Sequence, residues 1–163
     1  MAIKNTQRGF ALFIAVIFMS VMLSFGLALG ALGYKQQVLA SSGTESQYAF
    51  YAADAALECA LYADQQLNLF EYTAIAPSSA PAMTCDNASP VSATIMLHDG
   101  THWVVKSQLS LDAGKRCADV TVYKPAPGTG VTYLFSQGYN VSCTTVNTPS
   151  GARFVSRGES THY

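Results

Sequence analysis

The chain has 163 residues, of which 50% are hydrophobic and 12% charged, with a formal net charge of −1. That length accommodates one membrane-spanning helix and one small domain. All 10 acidic residues follow the apolar N-terminal region, and the six basic residues beyond Lys35 leave this distal part at 6 − 10 = −4, which argues against nucleic-acid binding because that depends on clustered Lys and Arg.

Residues 10–33 form an uncharged run of 24 residues behind a short head whose side-chain charges, on Lys4 and Arg8, are basic. About 20 apolar residues at ~1.5 Å each span a bilayer core. The run therefore predicts a transmembrane helix, with the basic head in the cytoplasm and the acidic body outside. A removable secretory signal would have an apolar core of about 7–15 residues, which this run exceeds.

Three glycines, Gly26, Gly30 and Gly33, lie about one helical turn apart in this run. Small residues at that spacing allow close contact between helices in lipid. They also weaken a helix by ~1 kcal/mol each relative to alanine. The glycines could therefore let this helix bend or partly melt when it moves from the membrane into an assembly. Glycine is also common in ordinary transmembrane helices, so the sequence leaves both interpretations open.

Helix-forming sequence continues through residues 35–70, with a predicted kink or interruption at Ser41-Ser42-Gly43. Small residues then recur at three- and four-residue steps, which predicts a helix face on which a sheet packs closely. They are Ala49, Ala52, Ala53, Ala56, Cys59, Ala60 and Ala63. We expect Phe50, Leu57 and Leu61 to fill the same core from a neighbouring face.

Four cysteines follow the predicted span: Cys59, Cys85, Cys117 and Cys143. An even number in an exported domain indicates two disulfides, and the absence of a C-x-x-C pair disfavours zinc. The count alone allows three pairings. A Cys59–Cys85 bridge would fasten a Pro- and Ser-rich loop, residues 73–90, to the helix, and a Cys117–Cys143 bridge would close the open end of a hairpin.

The rest of the chain predicts strands, the first two joined by Asp99-Gly100, a strong signal for a two-residue hairpin turn. The predicted strands are residues 93–98, 101–111, 117–124, 131–142 and 153–158. The expected fold class is α+β, with a long N-terminal helix packed on an antiparallel sheet of four or five strands. Residues 71–163 would form a globular head together with residues 35–70.

Two histidines near the first turn invite a metal interpretation. With a two-residue turn, His98 opposes Thr101 and His102 opposes Leu97. The two imidazoles then point to opposite faces of the ribbon, so the sequence predicts no shared metal.

Asp54 and Glu58, four residues apart on the helix, are the only pair that suggests a glycosidase-type site, and surface charges explain them more simply. No serine lies in a nucleophile elbow, and no Gly-rich phosphate loop occurs. The sequence therefore predicts neither an enzyme nor a cofactor.

The start of the run, Thr6-Gln7-Arg8-Gly9-Phe10-Ala11-Leu12, resembles the class III signal of type IV prepilins. The resemblance implies that a prepilin peptidase cuts between Gly9 and Phe10 on the cytoplasmic side and removes residues 1–9 as a leader. Phe10 would become the first residue of the mature chain, and the resemblance implies that its amino terminus is methylated. Residues 10–34, here called the stem, would remain as the transmembrane and assembly helix.

A second stretch, residues 48–62, is similar to the A-F-x-x-A-E-A-G-L-E-x-A-L segment of PilX-like minor pilins and tip pseudopilins. Asp54 and Ala56 replace the family's Glu and Gly. The fifth mature position is Ile14, where major pilins carry a glutamate that neutralises a neighbouring subunit's amino terminus. A subunit at the filament tip needs no such pairing, so Ile14 favours that position. A group of pilins that builds whole filaments without this pairing would also lack the glutamate.

The resemblance implies a structural subunit of a type IV pilus or pseudopilus, with a minor or tip position favoured by Ile14. Its partners would be other pilin subunits, the prepilin peptidase and, before assembly, the inner membrane, with the head outside and later on a cell-surface filament. The alternative is a single-span anchored binding domain outside the cytoplasm that never polymerises.

Overall fold

The computed structural model describes residues 8–88, 90–151 and 154–163. Within these residues the chain forms two helices and five strands. In chain order they are α1 (Arg8–Gln65), β1 (Ser92–His98), β2 (His102–Leu111), β3 (Arg116–Pro125), β4 (Tyr133–Tyr139), α2 (Cys143–Asn147) and β5 (Ser156–His162). The chain divides into two compact units, Met1–Gly43 and Thr44–Tyr163, and we call the latter the C-terminal unit.

The sheet of the C-terminal unit has the strand order β1-β2-β3-β4-β5, and each strand pairs antiparallel with the next. The predicted α+β fold class is therefore confirmed, with five strands. The last strand begins at Ser156, later than predicted, and the expected residue Arg153 lies outside the described residues. The short helix α2 was not predicted; the hydroxyl of its N-cap residue Ser142 accepts a hydrogen bond from the amide of Thr145.

The predicted interruption of α1 and the predicted two-residue turn were wrong. Residues 41–43 are helical, and the kink predicted there stays a prediction. The β1–β2 turn is also longer than two residues, since His98 pairs with Trp103 and not with Thr101. The carboxylate of Asp99 accepts hydrogen bonds from the backbone amides of Thr101 and His102, each at 2.7 Å, and thereby stabilises the wider loop.

The first hairpin also contains an irregularity in its register. Ile95 pairs with Val105, but Leu97 pairs with Val104, so the register shifts between these positions. Met96 is the extra residue of this bulge, and its side chain is 62% exposed. The bulge lies in β1, which is one edge of the sheet.

The core of the C-terminal unit lies where α1 packs on the sheet through a face of small residues, as predicted. This alanine face is almost completely buried: Ala49, Ala52, Ala53, Ala56, Ala60 and Ala63. The helix approaches β4 closely: a Cβ added to Gly138 would lie 2.2 Å from the carbonyl oxygen of Ala49 and 2.3 Å from the amide nitrogen of Ala53. At this point the backbones of helix and strand are therefore in direct contact.

The prediction that three large side chains join this core was wrong for one of them. Leu57 is buried, and it shares the core with the loop residues Phe70 and Met83. Leu61 is partly buried against the same cluster. Phe50, two turns nearer the N-terminus, is 42% exposed and contacts Tyr51 edge-on, because the alanine face rests directly on the sheet and the loop does not extend over this position.

Two disulfides join the cysteines, as the even count predicted. Cys59 is bonded to Cys85 and Cys117 to Cys143, with Cα–Cα distances of 6.1 and 4.8 Å. The first bridge fastens the loop after α1 to the helix, and the second holds α2 against β3. In the chain-entropy description, each bridge that closes a loop of this size stabilises the folded state by about 3 kcal/mol.

We predict that Gly138→Ala strongly destabilises the C-terminal unit. The added methyl group would overlap backbone atoms of α1, which cannot rotate away as a side chain can, and overpacking of this kind costs about 3 kcal/mol. Denaturant unfolding of the full chain in detergent, followed by the fluorescence of the single tryptophan, Trp103, measures the loss. The matched control is Gly100→Ala, since a Cβ at Gly100 meets no atom within 4 Å among the described residues; equal stability of the two variants would contradict the prediction.

Candidate functional site

The stem is the most distinctive surface of the described chain. Every side chain from Phe10 to Tyr34 is exposed, including Phe10 (69%) and Ile14 (50%). Among the described residues, one helix, Phe10–Gln65, is long and apolar enough to cross a membrane, and its most apolar window has no buried residue. The stem therefore presents a continuous apolar surface that needs lipid or protein around it.

The polar side chains within residues 10–33 are Ser20 and Ser24, and both are satisfied inside the helix. The Ser20 hydroxyl donates to the carbonyl oxygen of Ile17, and the Ser24 hydroxyl donates to that of Val21, each at 2.8 Å. A hydrocarbon environment tolerates polar groups only when they are hydrogen-bonded internally. Residues 10–33 meet this condition without a partner.

The three stem glycines have open surroundings. A Cβ placed on Gly26, Gly30 or Gly33 meets no other side chain within 4 Å among the described residues. These positions form notches on the helix surface that a second helix can approach closely. The structure does not bring them into contact with any other element, so their predicted role in assembly stays a prediction.

The predicted processing site lies at the edge of the described chain. The backbone of Gly9 is helical, and α1 begins one residue earlier, at Arg8. The first seven residues of the predicted leader lie outside the described residues. The cleavage between Gly9 and Phe10 therefore stays a prediction.

In the C-terminal unit, a buried ionic cluster near the end of α1 was missed from the sequence. The Lys124 ammonium donates to both carboxylate oxygens of Asp64, at 2.9 and 2.7 Å, and the Asp64 side chain is 1% exposed. The Tyr163 hydroxyl donates to the same carboxylate. Burial, and then this hydrogen bond, raise the pKa of Tyr163. The available signal was an acidic residue next to Ala60 and Ala63 on the small-residue face.

We predict that Lys124→Ala destabilises the full chain by about 3 kcal/mol, because the variant leaves the buried Asp64 carboxylate without its cationic partner. The matched control is Lys106→Ala, which removes a 3.0 Å ion pair with Asp119 in which the lysine is 45% exposed. Because the lysine of this pair reaches solvent and Asp119 keeps its hydrogen bond from Gln108, we expect a smaller loss, of about 1 kcal/mol. Urea unfolding of both variants tests the difference, and similar losses would contradict it.

The two carboxylates that the sequence singled out, Asp54 and Glu58, lie in different surroundings. Asp54 is half-buried and interacts with Glu159 of β5, while Glu58 is exposed. Burial, and then the charge of Asp54, raise the pKa of Glu159. The two carboxylates link the helix to the last strand through a contact that is repulsive when both are ionised.

We predict that Glu159→Gln raises the melting temperature at neutral pH, because it removes this repulsion. A carboxyl whose pKa is raised by folding binds its proton more tightly in the folded state, so the wild type gains stability as the pH falls through that pKa. The advantage of the variant should therefore shrink toward the ordinary carboxyl pKa of 4.5. Glu58→Gln, on the exposed helix surface, serves as the control and should show no such pH-dependent difference.

The two histidines lie on opposite faces of the sheet, although the register that suggested this was wrong. His98 stacks on Tyr72, and its Nε2 is 2.8 Å from the carbonyl oxygen of Thr73. His102 lies against Tyr123 on the other face. Within the described part of the chain, no three His, Cys, Asp or Glu side chains are grouped so that they could hold a metal ion.

A groove of about 370 Å³ lies beside the Cys59–Cys85 bridge in the C-terminal unit. Its walls include Tyr48, Tyr51 and Leu111, and the Arg116 guanidinium lies 4.2 Å from the centre of the Tyr48 ring. The same Arg116 donates to the carbonyl oxygen of Asn140 at 2.9 Å. Its cation is therefore engaged in holding the helix and the sheet together.

Comparison with protein-family models, with curated proteins and with solved structures finds no match to this chain. The structure itself shows an α+β fold and an apolar N-terminal helix of membrane-spanning length. This combination is compatible with a pilin-like fold.

Proposed function

We propose that this protein is a subunit of a type IV pilus or pseudopilus-type filament, held in the membrane by its stem before assembly. A prepilin peptidase would cut between Gly9 and Phe10, and the stem would then move from lipid into a bundle of stems from sister subunits. The other pilins, the peptidase and the membrane are the partners that this proposal requires.

The observation that carries the proposal is the stem itself. It is exposed along its whole length, and its two serine hydroxyls are hydrogen-bonded within the helix. Such a helix loses no polar interaction when it exchanges lipid for other apolar helices. The signal-like sequence around Gly9 supports the same proposal, because it places the cut directly before the apolar surface.

Ile14 supports a minor or tip position within the filament. An isoleucine cannot neutralise the amino terminus of an adjacent subunit, and an unpaired charge buried among apolar helices costs several kcal/mol. At the distal end of a filament no further subunit requires this pairing. The inner-membrane location before assembly and the cell-surface location afterwards follow from the same proposal.

We predict that the mature protein purified from membranes begins at Phe10, because the peptidase would remove residues 1–9. Intact-mass spectrometry checks this, and a methylated amino terminus would add a second mark of pilin processing. Replacing Gly9 by valine should leave the leader in place, whereas Gly26→Val, within the stem, should not change the cut.

The same measurement separates the alternative function. A chain that begins at Met1 or Ala2 would indicate an anchored binding domain, and immunogold labelling would then find it spread over the membrane and not on fibres. A chain severed near Ala31 would contradict both proposals, because the stem would be lost. For a tip subunit, the gold label should lie at fibre ends.

A further inference from the structure

The outer face of the sheet, which points away from α1, carries a row of four rings across four strands. These rings, which we call the aromatic row, belong to His102 on β2, Tyr123 on β3, Tyr133 on β4 and His162 on β5. Neighbouring ring centres are 4.9, 6.1 and 5.5 Å apart. Tyr133, at 51%, and His162 are exposed to solvent, whereas His102 and Tyr123 are half-buried.

The strand registers explain why the rings align. Tyr123 is paired with Tyr133, and Tyr133 is paired with His162. Cross-strand ring pairs stabilise a sheet by up to about 1 kcal/mol each, but that contribution does not require exposed rings. Phe135, also on this face, is 45% exposed and lies across Gly158, where an added Cβ would be 3.1 Å from its ring.

A polar cleft lies on the same face, one row of side chains further along the strands. It has a volume of about 290 Å³. Its lining consists of Ser92, Thr94, Lys106, Gln108, Asp119, Val146 and Asn147. Lys106 is two residues from Val104, which is paired with Tyr123, so the cleft begins about 7 Å from the aromatic row.

The polar groups of the cleft are held in place by one another. The Gln108 and Asn147 side-chain amides exchange hydrogen bonds of 2.8 and 3.2 Å. The Gln108 amide also donates to Asp119 at 3.0 Å, and the second carboxylate oxygen of Asp119 accepts from Lys106 at 3.0 Å. Gln108 is only 7% exposed, so this network is preorganised and not a set of mobile surface chains.

We propose that the aromatic row and the polar cleft together form a binding site for a neutral polysaccharide. The C–H face of a sugar ring packs against exposed aromatic rings, and sugar hydroxyls both donate to and accept from amide, carboxylate and ammonium groups. Neighbouring rings of the row are tilted by 42°, 64° and 32° to one another, so the row offers a stepped apolar surface on which sugar rings of one glycan can pack.

The charge of the site favours a neutral ligand. Lys106 is paired with Asp119, and the chain beyond Lys35 carries a net charge of 6 − 10 = −4. Single-stranded nucleic acid also stacks on aromatic rings, but it requires a basic groove along its phosphates. Acidic polysaccharides are disfavoured by the same negative charge. The proposal does not depend on filament assembly, because the site lies entirely within the C-terminal unit.

Saturation-transfer NMR and titration calorimetry on the full chain test the proposal, in a detergent without a sugar headgroup that would compete. The probes are cellohexaose and chitohexaose as neutral glycans and oligothymidylate as the nucleic acid. We expect at least one hexasaccharide to bind with a Kd below about 1 mM, with saturation on its ring C–H protons. Binding of neither hexasaccharide, or of oligothymidylate alone, would overturn the proposal.

Variants locate the site. Tyr123→Ala and Tyr133→Ala should each weaken binding about tenfold, and Lys106→Ala should weaken it through the cleft while stability is retained. Tyr133→Leu keeps an apolar strand residue without the ring and is used if the alanine variant unfolds. Tyr62→Ala, which removes a 59% exposed tyrosine on α1, is the matched control. Unchanged binding in folded Tyr123 and Tyr133 variants would reject the site.

Discussion

The C-terminal unit depends on the contact between the backbone of α1 and the backbone of β4 at Gly138. No side chain separates the two elements there, so neighbouring positions of the interface must also be small. Ser107 and Ser136 flank Val120 in one row of the sheet, and both are buried with hydroxyls that have no partner among the described residues. An unpaired buried hydroxyl costs about 1–3 kcal/mol, which indicates that these positions select for size more strongly than for polarity.

Polar contacts near both ends of the helical segment 44–65 define where it lies on the sheet. At one end, Glu45 accepts from the Asn140 amide at 2.6 Å, and Arg157 donates to the Ser46 hydroxyl at 2.6 Å. At the other end, Asp64 accepts from Lys124 and Tyr163. Small side chains interlock weakly with a sheet, so the alanine face alone does not fix the position of the helix along the sheet. These directional contacts and the Cys59–Cys85 bridge supply the register that the apolar contact lacks.

Features that follow from a regular spacing of residues could be predicted from the sequence. Features that depend on contacts between distant residues could not. The alanine face and the alternating strands follow from local spacing, and the cysteine count indicated two bridges. The exposure of Phe50 depends on where the loop after α1 lies, which no local pattern records. In the Asp64 cluster, the two partners of Asp64 lie 60 and 99 positions further along the chain. The aromatic row can be recognised only once the strand registers are known. A glycine inside a strand, at Gly138, was a signal of close backbone approach that the sequence offered.

The bulge at Met96 changes how the open edge of the sheet can pair with another strand. β1 is a sheet edge whose seven residues include no Lys, Arg, Asp or Glu, and it exposes Met96 and Leu97. An uncharged, flat edge invites a strand from another molecule and, with repetition, fibrillar aggregates. The register shift twists the edge and leaves one residue out of the regular ladder. The register shift therefore makes this edge a poorer template for a strand of another molecule, although β1 carries none of the charged residues that usually give such protection.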